Sequence, residues 1–148
     1  MRKISIARIR RASKNPIPSL RRKLTLVFNR YIRMRDKDLG CISCVTGAVE
    51  NAGHFKSVGS NPKPSMAFNE YNVNGQCIHC NYTLGGNEEG YKKGLIKKYG
   101  KDILEKLLIK SAIRSNPWTR WEYEAMIILY EKKLKEIQNV TTLNYWPK

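Results

Sequence analysis

Four cysteines in two Cys-x-x-Cys pairs are the residues of this sequence best suited to chemistry. The pairs are Cys41–Cys44 and Cys77–Cys80, and they account for every cysteine among the 148 residues. Two such pairs offer four thiolates to one ion at about 2.3 Å, which is the ligand set of a closed, structural Zn²⁺ site. Two disulfides are the alternative, but no signal peptide precedes the pairs. We therefore expect a cytoplasmic protein with one structural zinc per chain.

The segment between the two pairs, residues 45–76, contains a candidate general base. His54 lies there and is one of only two histidines. A neutral imidazole can deprotonate a water near neutral pH. A four-thiolate zinc has no open position, so hydrolysis of a phosphodiester would need a second, harder cation, Mg²⁺ or Mn²⁺. The alternative is a histidine that only bonds a backbone carbonyl.

Two asparagines are candidates for supporting His54. The side chain of Asn72 can bridge two loops and hold the strand that carries His54, or it can simply form a turn. Asn81 follows Cys80 directly, where its amide oxygen can bind the cation or the phosphate, or cap a helix. His79, between the second pair of cysteines, is expected to be exposed and not a base.

The charge of the chain predicts a polyanionic partner, and we expect DNA. Lys and Arg number 28 against 12 Asp and Glu, a net charge of +16, and neutralising phosphates releases counterions. Residues 1–18 hold no acidic residue and predict a basic arm that orders on nucleic acid, or else a disordered tail. A basic helix face follows, which is either a phosphate contact or a solvated surface. The candidate DNA-binding residues are Arg8, Arg10, Arg11, Arg21, Arg22, Lys23, Arg30, Arg33 and Lys56.

Hydrophobic periodicity predicts an α+β, mostly helical chain. We expect a helix from a Ser19 cap to near Gly40, a pair of short strands around 53–58, and a helix after Cys80. Further helices are expected from an Asn87 cap to Gly100, over 102–114 with Leu108 inside, and from a Thr119–Glu122 capping box to about Gln138. The apolar stripe of the last helix predicts intramolecular core, with a dimer contact as the alternative. No segment approaches the roughly 18 apolar residues that span a bilayer.

These elements suggest four regions. Residues 1–18 form a flexible basic arm, and 19–100 a zinc-bound nuclease core that begins with the basic helix. Residues 101–138 form a helical extension and 139–148 a tail.

A series of short motifs between residues 20 and 100 matches a known pattern. They are Tyr31-Ile32-Arg33-Met34-Arg35-Asp36, Cys41-Ile42-Ser43-Cys44, Gly53-His54-Phe55 with Ser57, Phe68-Asn69-Glu70, Asn72, Gln76-Cys77, Cys80-Asn81, Leu84, Gly86-Asn87, Tyr91 and Gly94-Leu95-Ile96. In these motifs the chain resembles the NinG/Rap recombination endonucleases of lambda-type bacteriophages, within the HNH/treble-clef nuclease superfamily.

The resemblance implies a small zinc-stabilised treble-clef core of the ββα-metal, HNH-like type. It also implies cleavage of branched DNA, such as Holliday junctions and D-loops, in phage recombination. In the HNH motif of that superfamily, His54 matches the general base, Asn72 matches the central asparagine, and Asn81 stands at the third motif position.

The chain departs from the pattern at Gly53, where many HNH enzymes have an Asp or His that binds the catalytic cation. Glu70, with Asn81, is our choice for the missing ligand, because Mg²⁺ favours at least one carboxylate. A zinc-folded recombination or transcription accessory protein that binds DNA without cutting it is the alternative function.

Overall fold

The computed structural model describes residues 16–57, 59 and 63–144, with side chains through residue 139. The expectations for residues 1–15, including Arg8, Arg10 and Arg11, lie outside the described residues. One antiparallel two-stranded sheet stands among helices, which confirms the mostly helical α+β prediction. The elements are α1 (Ile17–Asp36), β1 (Asn51–His54), α2 (Pro64–Ala67), β2 (Val73–Gln76), a π-helical turn (His79–Thr83), α3 (Glu88–Tyr99), α4 (Ile103–Ala112) and α5 (Arg120–Asn144).

The first helix begins and ends earlier than predicted. It starts at Ile17 after Pro16, and the backbone N–H of Ser19 donates to the Pro16 carbonyl at 2.9 Å, so Ser19 is not the cap. Pro18 fits in the first turn, where a missing N–H costs nothing. The helix ends at Asp36 and is followed by a turn over residues 37–39, in which the Leu39 N–H donates to the Asp36 carbonyl at 2.9 Å.

Helices α1 and α5 enclose the main core together with the hairpin. Phe28 of α1 lies edge-on to Tyr130 of α5, with ring centroids 4.8 Å apart. The predicted apolar stripe is thereby confirmed as intramolecular core. The capping box is confirmed as well, since Thr119 N donates to Glu122 Oε2 at 2.6 Å. The helix continues to Asn144, so its predicted end and the assignment of 139–144 to a tail are wrong.

The hairpin is built from the two ends of the segment between the cysteine pairs. Strand β1 pairs antiparallel with β2, with Asn51 opposite Gln76 and His54 opposite Val73. The prediction of both strands near 53–58 is wrong, because the partner strand comes from the residues just before Cys77. Its polar composition (Val73-Asn74-Gly75-Gln76) gave no strand signal, yet all four residues are buried.

Helices α3 and α4 form a second, smaller core with Met66 of α2. Asn87, at φ 45°, caps α3 as predicted by accepting a hydrogen bond from Gly90 N. Gly94 allows close approach, since a Cβ there would stand 1.9 Å from the Ile42 carbonyl oxygen. Leu108 of α4 is 57% exposed, so the prediction that it lies inside is wrong.

A buried carboxylate joins the two cores. Asp36, 2% exposed, accepts from Arg35 Nε at 2.8 Å, from Lys98 Nζ at 2.7 Å and from the Gly75 backbone N–H at 2.8 Å. Lys98 also donates to Asn74 Oδ1 at 2.9 Å. The end of α1, strand β2 and helix α3 are therefore fixed by one anion. Among the helices of the described chain, none is long and apolar enough to cross a membrane.

Candidate functional site

The four cysteines converge on one point. The Sγ atoms of Cys41, Cys44, Cys77 and Cys80 all lie within 4.8 Å of one another, and those of Cys44 and Cys77 are 3.9 Å apart. Sulfurs around a tetrahedral zinc are about 3.8 Å apart, given bonds of about 2.3 Å. All four cysteines are free thiols, so the disulfide alternative does not apply. The cluster could hold a metal ion and fits a tetrahedral one.

The surroundings of the cysteines also suit a cation. Burial and the neighbouring thiols together raise the pKa of Cys80 to about 12, although a hydrogen bond from Asn87 opposes the rise. Four adjacent thiolates therefore need a compensating positive charge, which a divalent ion supplies. Gly47 leaves room for the sulfurs, since a Cβ there would stand 2.8 Å from Cys77 Sγ.

The imidazole of His54 lies at the end of β1, in hydrogen-bond contact with helix α2. Its Nε2 is 3.1 Å from the carbonyl oxygen of Ala67. A carbonyl can only accept, so Nε2 carries the proton and Nδ1 keeps a lone pair. Burial lowers the pKa of His54 below 6.5, and the Ala67 carbonyl opposes this shift. The ring is therefore neutral at physiological pH and can accept a proton at Nδ1.

Asn72 bridges two segments, as one of its two predicted roles required. Its side chain is fully buried. Its Oδ1 accepts from Lys56 N at 2.8 Å, and its Nδ2 donates to the carbonyls of Lys56 and Met66, each at 3.1 Å. These bonds hold the chain after His54 against the end of α2, which carries the carbonyl that orients the imidazole.

Asn81 lies beside Gly53, the residue before His54. A Cβ at position 53 would stand 3.3 Å from Asn81 Oδ1 and 2.0 Å from Gln76 Oε1. A side chain at position 53 would force the amide of Gln76 to shift, because that amide occupies the space. Asn81 is in the π-helical turn and is partly exposed, not a cap of α3.

Glu70 has a structural environment that differs from the predicted one. Its carboxylate accepts from the hydroxyls of Tyr31 at 2.8 Å and Tyr130 at 3.1 Å, and it is paired with Lys133 and, at 3.6 Å, with Arg35. Although burial opposes it, the contacts with Lys133 and Tyr31 hold the pKa of Glu70 below 4.5. These donors occupy the carboxylate, so Glu70 anchors α5 to α1 and is unsuited to a cation site shared with Asn81.

Three of the candidate DNA-binding residues on α1 are exposed to solvent. Arg22, Lys23 and Arg30 are exposed, whereas Arg21, Arg33 and Lys56 are half-buried. Lys23 pairs with Glu131 at 3.0 Å on the surface. Helix α1 packs against both strands with its buried face, so these exposed cations lie on the part of the helix that faces solvent. His79 is exposed, as predicted.

Sequence reasoning missed two participants in this arrangement. Ala67 contributes only a backbone carbonyl, which leaves no signal in the sequence. Gln76 does leave a signal, since it is a polar residue directly before a cysteine pair. Its burial in β2 is known only from the structure.

Comparison with known proteins gives a consistent result. The family model described as Bacteriophage Lambda NinG protein matches residues 3–140. The curated Protein ninG of Escherichia phage lambda is 37% identical over 113 residues, that of Escherichia phage 933W 36% and that of Salmonella phage P22 35%. Each alignment covers 75% of this chain but only 53% or 54% of the relative, so the chain spans about half the length of the curated relatives it matches. No solved structure matches.

Proposed function

This chain belongs to the NinG family of lambda-type phages, and from the geometry around His54 we propose that it is a cation-dependent endonuclease. Its substrate is branched DNA formed in phage recombination, such as Holliday junctions and D-loops. The core is of the HNH, treble-clef type, with Zn²⁺ on the four cysteines, and the enzyme is related to the Rap endonucleases.

One observation carries this proposal, the hydrogen bond from His54 Nε2 to the Ala67 carbonyl at 3.1 Å. It selects the tautomer with an unprotonated Nδ1, while burial lowers the pKa of the ring. A neutral imidazole with one fixed proton is what a general base for water requires. Nδ1 takes the proton from the attacking water, and the Ala67 carbonyl stabilises the imidazolium that forms.

Asn72 is a positioning residue in this scheme. Its three hydrogen bonds tie Lys56 to Met66. Lys56 is two residues from His54, and Met66 is next to Ala67. The bonds therefore hold the imidazole and the Ala67 carbonyl at a fixed separation. Loss of that separation would free the ring to rotate and weaken the base.

The zinc cluster and the basic surface position the substrate. A zinc with four thiolates has no open site, so its role is to fix the hairpin and the π-helical turn that carries Asn81. Arg22 and Arg30 are exposed on α1, the helix that packs against both strands. They contact phosphates, and selectivity for branches follows from shape because phosphate contacts carry no sequence information. When bound, Mg²⁺ or Mn²⁺ would neutralise the scissile phosphate and the departing 3′-oxygen. A homodimer would present two His54 sites to opposite strands of a junction.

A DNA-binding protein without catalysis is the second candidate. The cysteine cluster is the one group of three or more His, Cys, Asp or Glu side chains in the described chain that could hold a metal. Within the described residues, no comparable group that includes carboxylates accompanies His54. This observation favours a zinc-folded recombination or transcription accessory protein.

Cleavage of a four-way junction separates the two functions. The zinc-loaded chain is incubated with a labelled junction in Mg²⁺, and products are resolved on denaturing gels. We expect nicks that His54→Ala slows about 10²- to 10⁴-fold, the usual contribution of a general base. His79→Ala is the matched control, because His79 is the other histidine and is exposed. A junction that is bound but stays intact with the parent chain, with His54→Ala indistinguishable from it, would refute the enzyme.

A further inference from the structure

A buried side-chain oxygen beside the candidate base lacks a hydrogen-bond partner. Gln76 is fully buried, and its Oε1 is one of two such unpartnered side-chain atoms among the described residues. Leaving a buried carbonyl oxygen unsatisfied costs the desolvation free energy of that atom, so its lack of a partner calls for an explanation.

The orientation of this amide is fixed by its other end. The Nε2 of Gln76 donates to the Gly86 carbonyl at 2.6 Å and to Ser43 Oγ at 2.7 Å. A backbone carbonyl cannot donate, so the nitrogen must face Gly86. The oxygen is thereby directed to the opposite side, toward Gly53.

A second amide oxygen is directed to the same place. The position that a Cβ of Gly53 would occupy is 2.0 Å from Gln76 Oε1 and 3.3 Å from Asn81 Oδ1. Gln76 is fully buried, whereas Asn81 is partly exposed. We propose that Gln76 Oε1 and Asn81 Oδ1 are two ligands of the hard divalent cation, and that Gln76 supplies the contact that Glu70 does not.

The chemistry of this pair predicts a site that DNA completes. Amide oxygens are acceptable ligands for Mg²⁺ or Mn²⁺, but both are neutral, and such cations usually add carboxylates or substrate phosphates. Because the two proposed ligands are neutral, the negative charge comes from the scissile phosphate. This step rests on the proposed function, since it takes the phosphate to be that of DNA bound beside His54.

The site also explains the glycine before the base. Adjacent strand residues point to opposite faces of a sheet, so His54 and the two oxygens reach the end of β1 from different sides. A side chain at position 53 would displace Gln76 Oε1. The chain therefore has a cation ligand from β2 in place of one from β1.

Binding of Mn²⁺ tests the inference without relying on cleavage. The full zinc-loaded chain carrying His54→Ala is mixed with a four-way junction, and free Mn²⁺ is measured from its electron paramagnetic resonance signal, with the junction alone as the blank. We expect one extra Mn²⁺ per chain in the complex and little binding without DNA. Gln76→Leu should weaken that binding at least 10-fold. Asn81→Asp, at a partly exposed position, should tighten it at least 10-fold and allow binding without DNA.

Ser43→Ala is the matched control, because it removes a partner of Gln76 Nε2 but leaves the oxygen in place. It should bind Mn²⁺ like the parent. Should Gln76→Leu lose its fold, as judged by zinc content and circular dichroism, the Asn81→Asp result decides alone. Parent-like binding in both variants, or no Mn²⁺ above the blank, overturns the site. Failure of the unsubstituted chain to cut the junction in Mg²⁺, with Mn²⁺ bound as described, overturns the nuclease and leaves the cation site standing.

Discussion

Replacing Asp36 with Asn should destabilise the fold strongly, because this carboxylate is the anion that joins α1, β2 and α3. Its oxygens accept from Arg35, Lys98 and the Gly75 backbone N–H at 2.7–2.8 Å. The side chains of Arg35 and Lys98 are only 18% and 20% exposed, so the substitution leaves two largely buried cations without their main counter-charge. Removing one partner of a buried ion pair costs about 3–5 kcal/mol.

The lower end of that range applies here. Arg35 keeps hydrogen bonds to the carbonyls of Glu70 and Val73, and Lys98 keeps Asn74 Oδ1. We therefore expect a loss of about 3 kcal/mol in the free energy of unfolding. For a chain of this size the corresponding fall in Tm is about 6–12 °C.

Urea unfolding at pH 7, followed by circular dichroism with zinc present, measures this loss. Asp38→Asn is the control, since Asp38 is exposed two residues away and should change stability by no more than about 0.5 kcal/mol. A loss of less than about 1 kcal/mol for Asp36→Asn would refute the reasoning, because the anion would then not be needed to hold the two cations.

The pH dependence gives an independent check. Although burial opposes it, the Arg35 guanidinium and Lys98 hold the pKa of Asp36 below 3.8 in the folded protein. A carboxyl with a lowered folded-state pKa contributes stability that is fully present above its unfolded pKa and is lost only as pH falls through the folded value. The difference between the parent and Asp36→Asn should therefore stay constant from pH 8 to pH 5. A difference that narrows within that interval would mean that Asp36 is not held as an anion by its partners.

The remaining predictions concern the cysteine cluster, the imidazole and the buried amide. Cys41→Ser, or removal of zinc by a chelator, should abolish cooperative melting followed by circular dichroism, because zinc binding supplies of order 10 kcal/mol of folding free energy; unchanged melting of metal-free protein would contradict this. The single-turnover rate of cleavage should fall tenfold per pH unit below a midpoint lower than 6.5, because burial lowers the pKa of His54 and only the neutral ring accepts a proton; a midpoint at or above 6.5 would exclude this base. Asn72→Ala should cost about 2–4 kcal/mol in urea unfolding, since the buried groups of Lys56 and Met66 lose their partner; a cost below 1 kcal/mol would show that the bridge is dispensable.

The predictions that succeeded depended on local patterns. The Thr119–Glu122 box and the Asn87 cap form as expected, because the bonds that define them join residues three apart. The apolar stripe of α5 was placed inside correctly, because helical periodicity fixes which residues share a face.

The predictions that failed depended on distant partners. Strand β2 was missed because its buried residues are polar and are satisfied by side chains from elsewhere, as when Asn74 Nδ2 donates to the Tyr91 hydroxyl at 3.3 Å. Residue type and the position two residues before Asn72 suggest Glu70 as a cation ligand, but its carboxylate is occupied by other partners. Its Tyr130 and Lys133 partners lie 60 and 63 residues away in α5, and no spacing near Glu70 indicates them.

The sequence by itself determined the four clustered cysteines, the single histidine between the two pairs and the positive charge, because residue type and short spacing are enough for each. Only the tertiary structure decided which nitrogen of His54 is free, what occupies the space beside Gly53 and where an unpartnered oxygen lies. Those properties are set by the Ala67 carbonyl, 13 residues from His54, and by the Gln76 side chain, 23 residues from Gly53. Hydrogen bonds and steric exclusion act over a few ångströms. They therefore depend on which distant segments the fold brings together, and the spacing of residues along the chain does not reveal them.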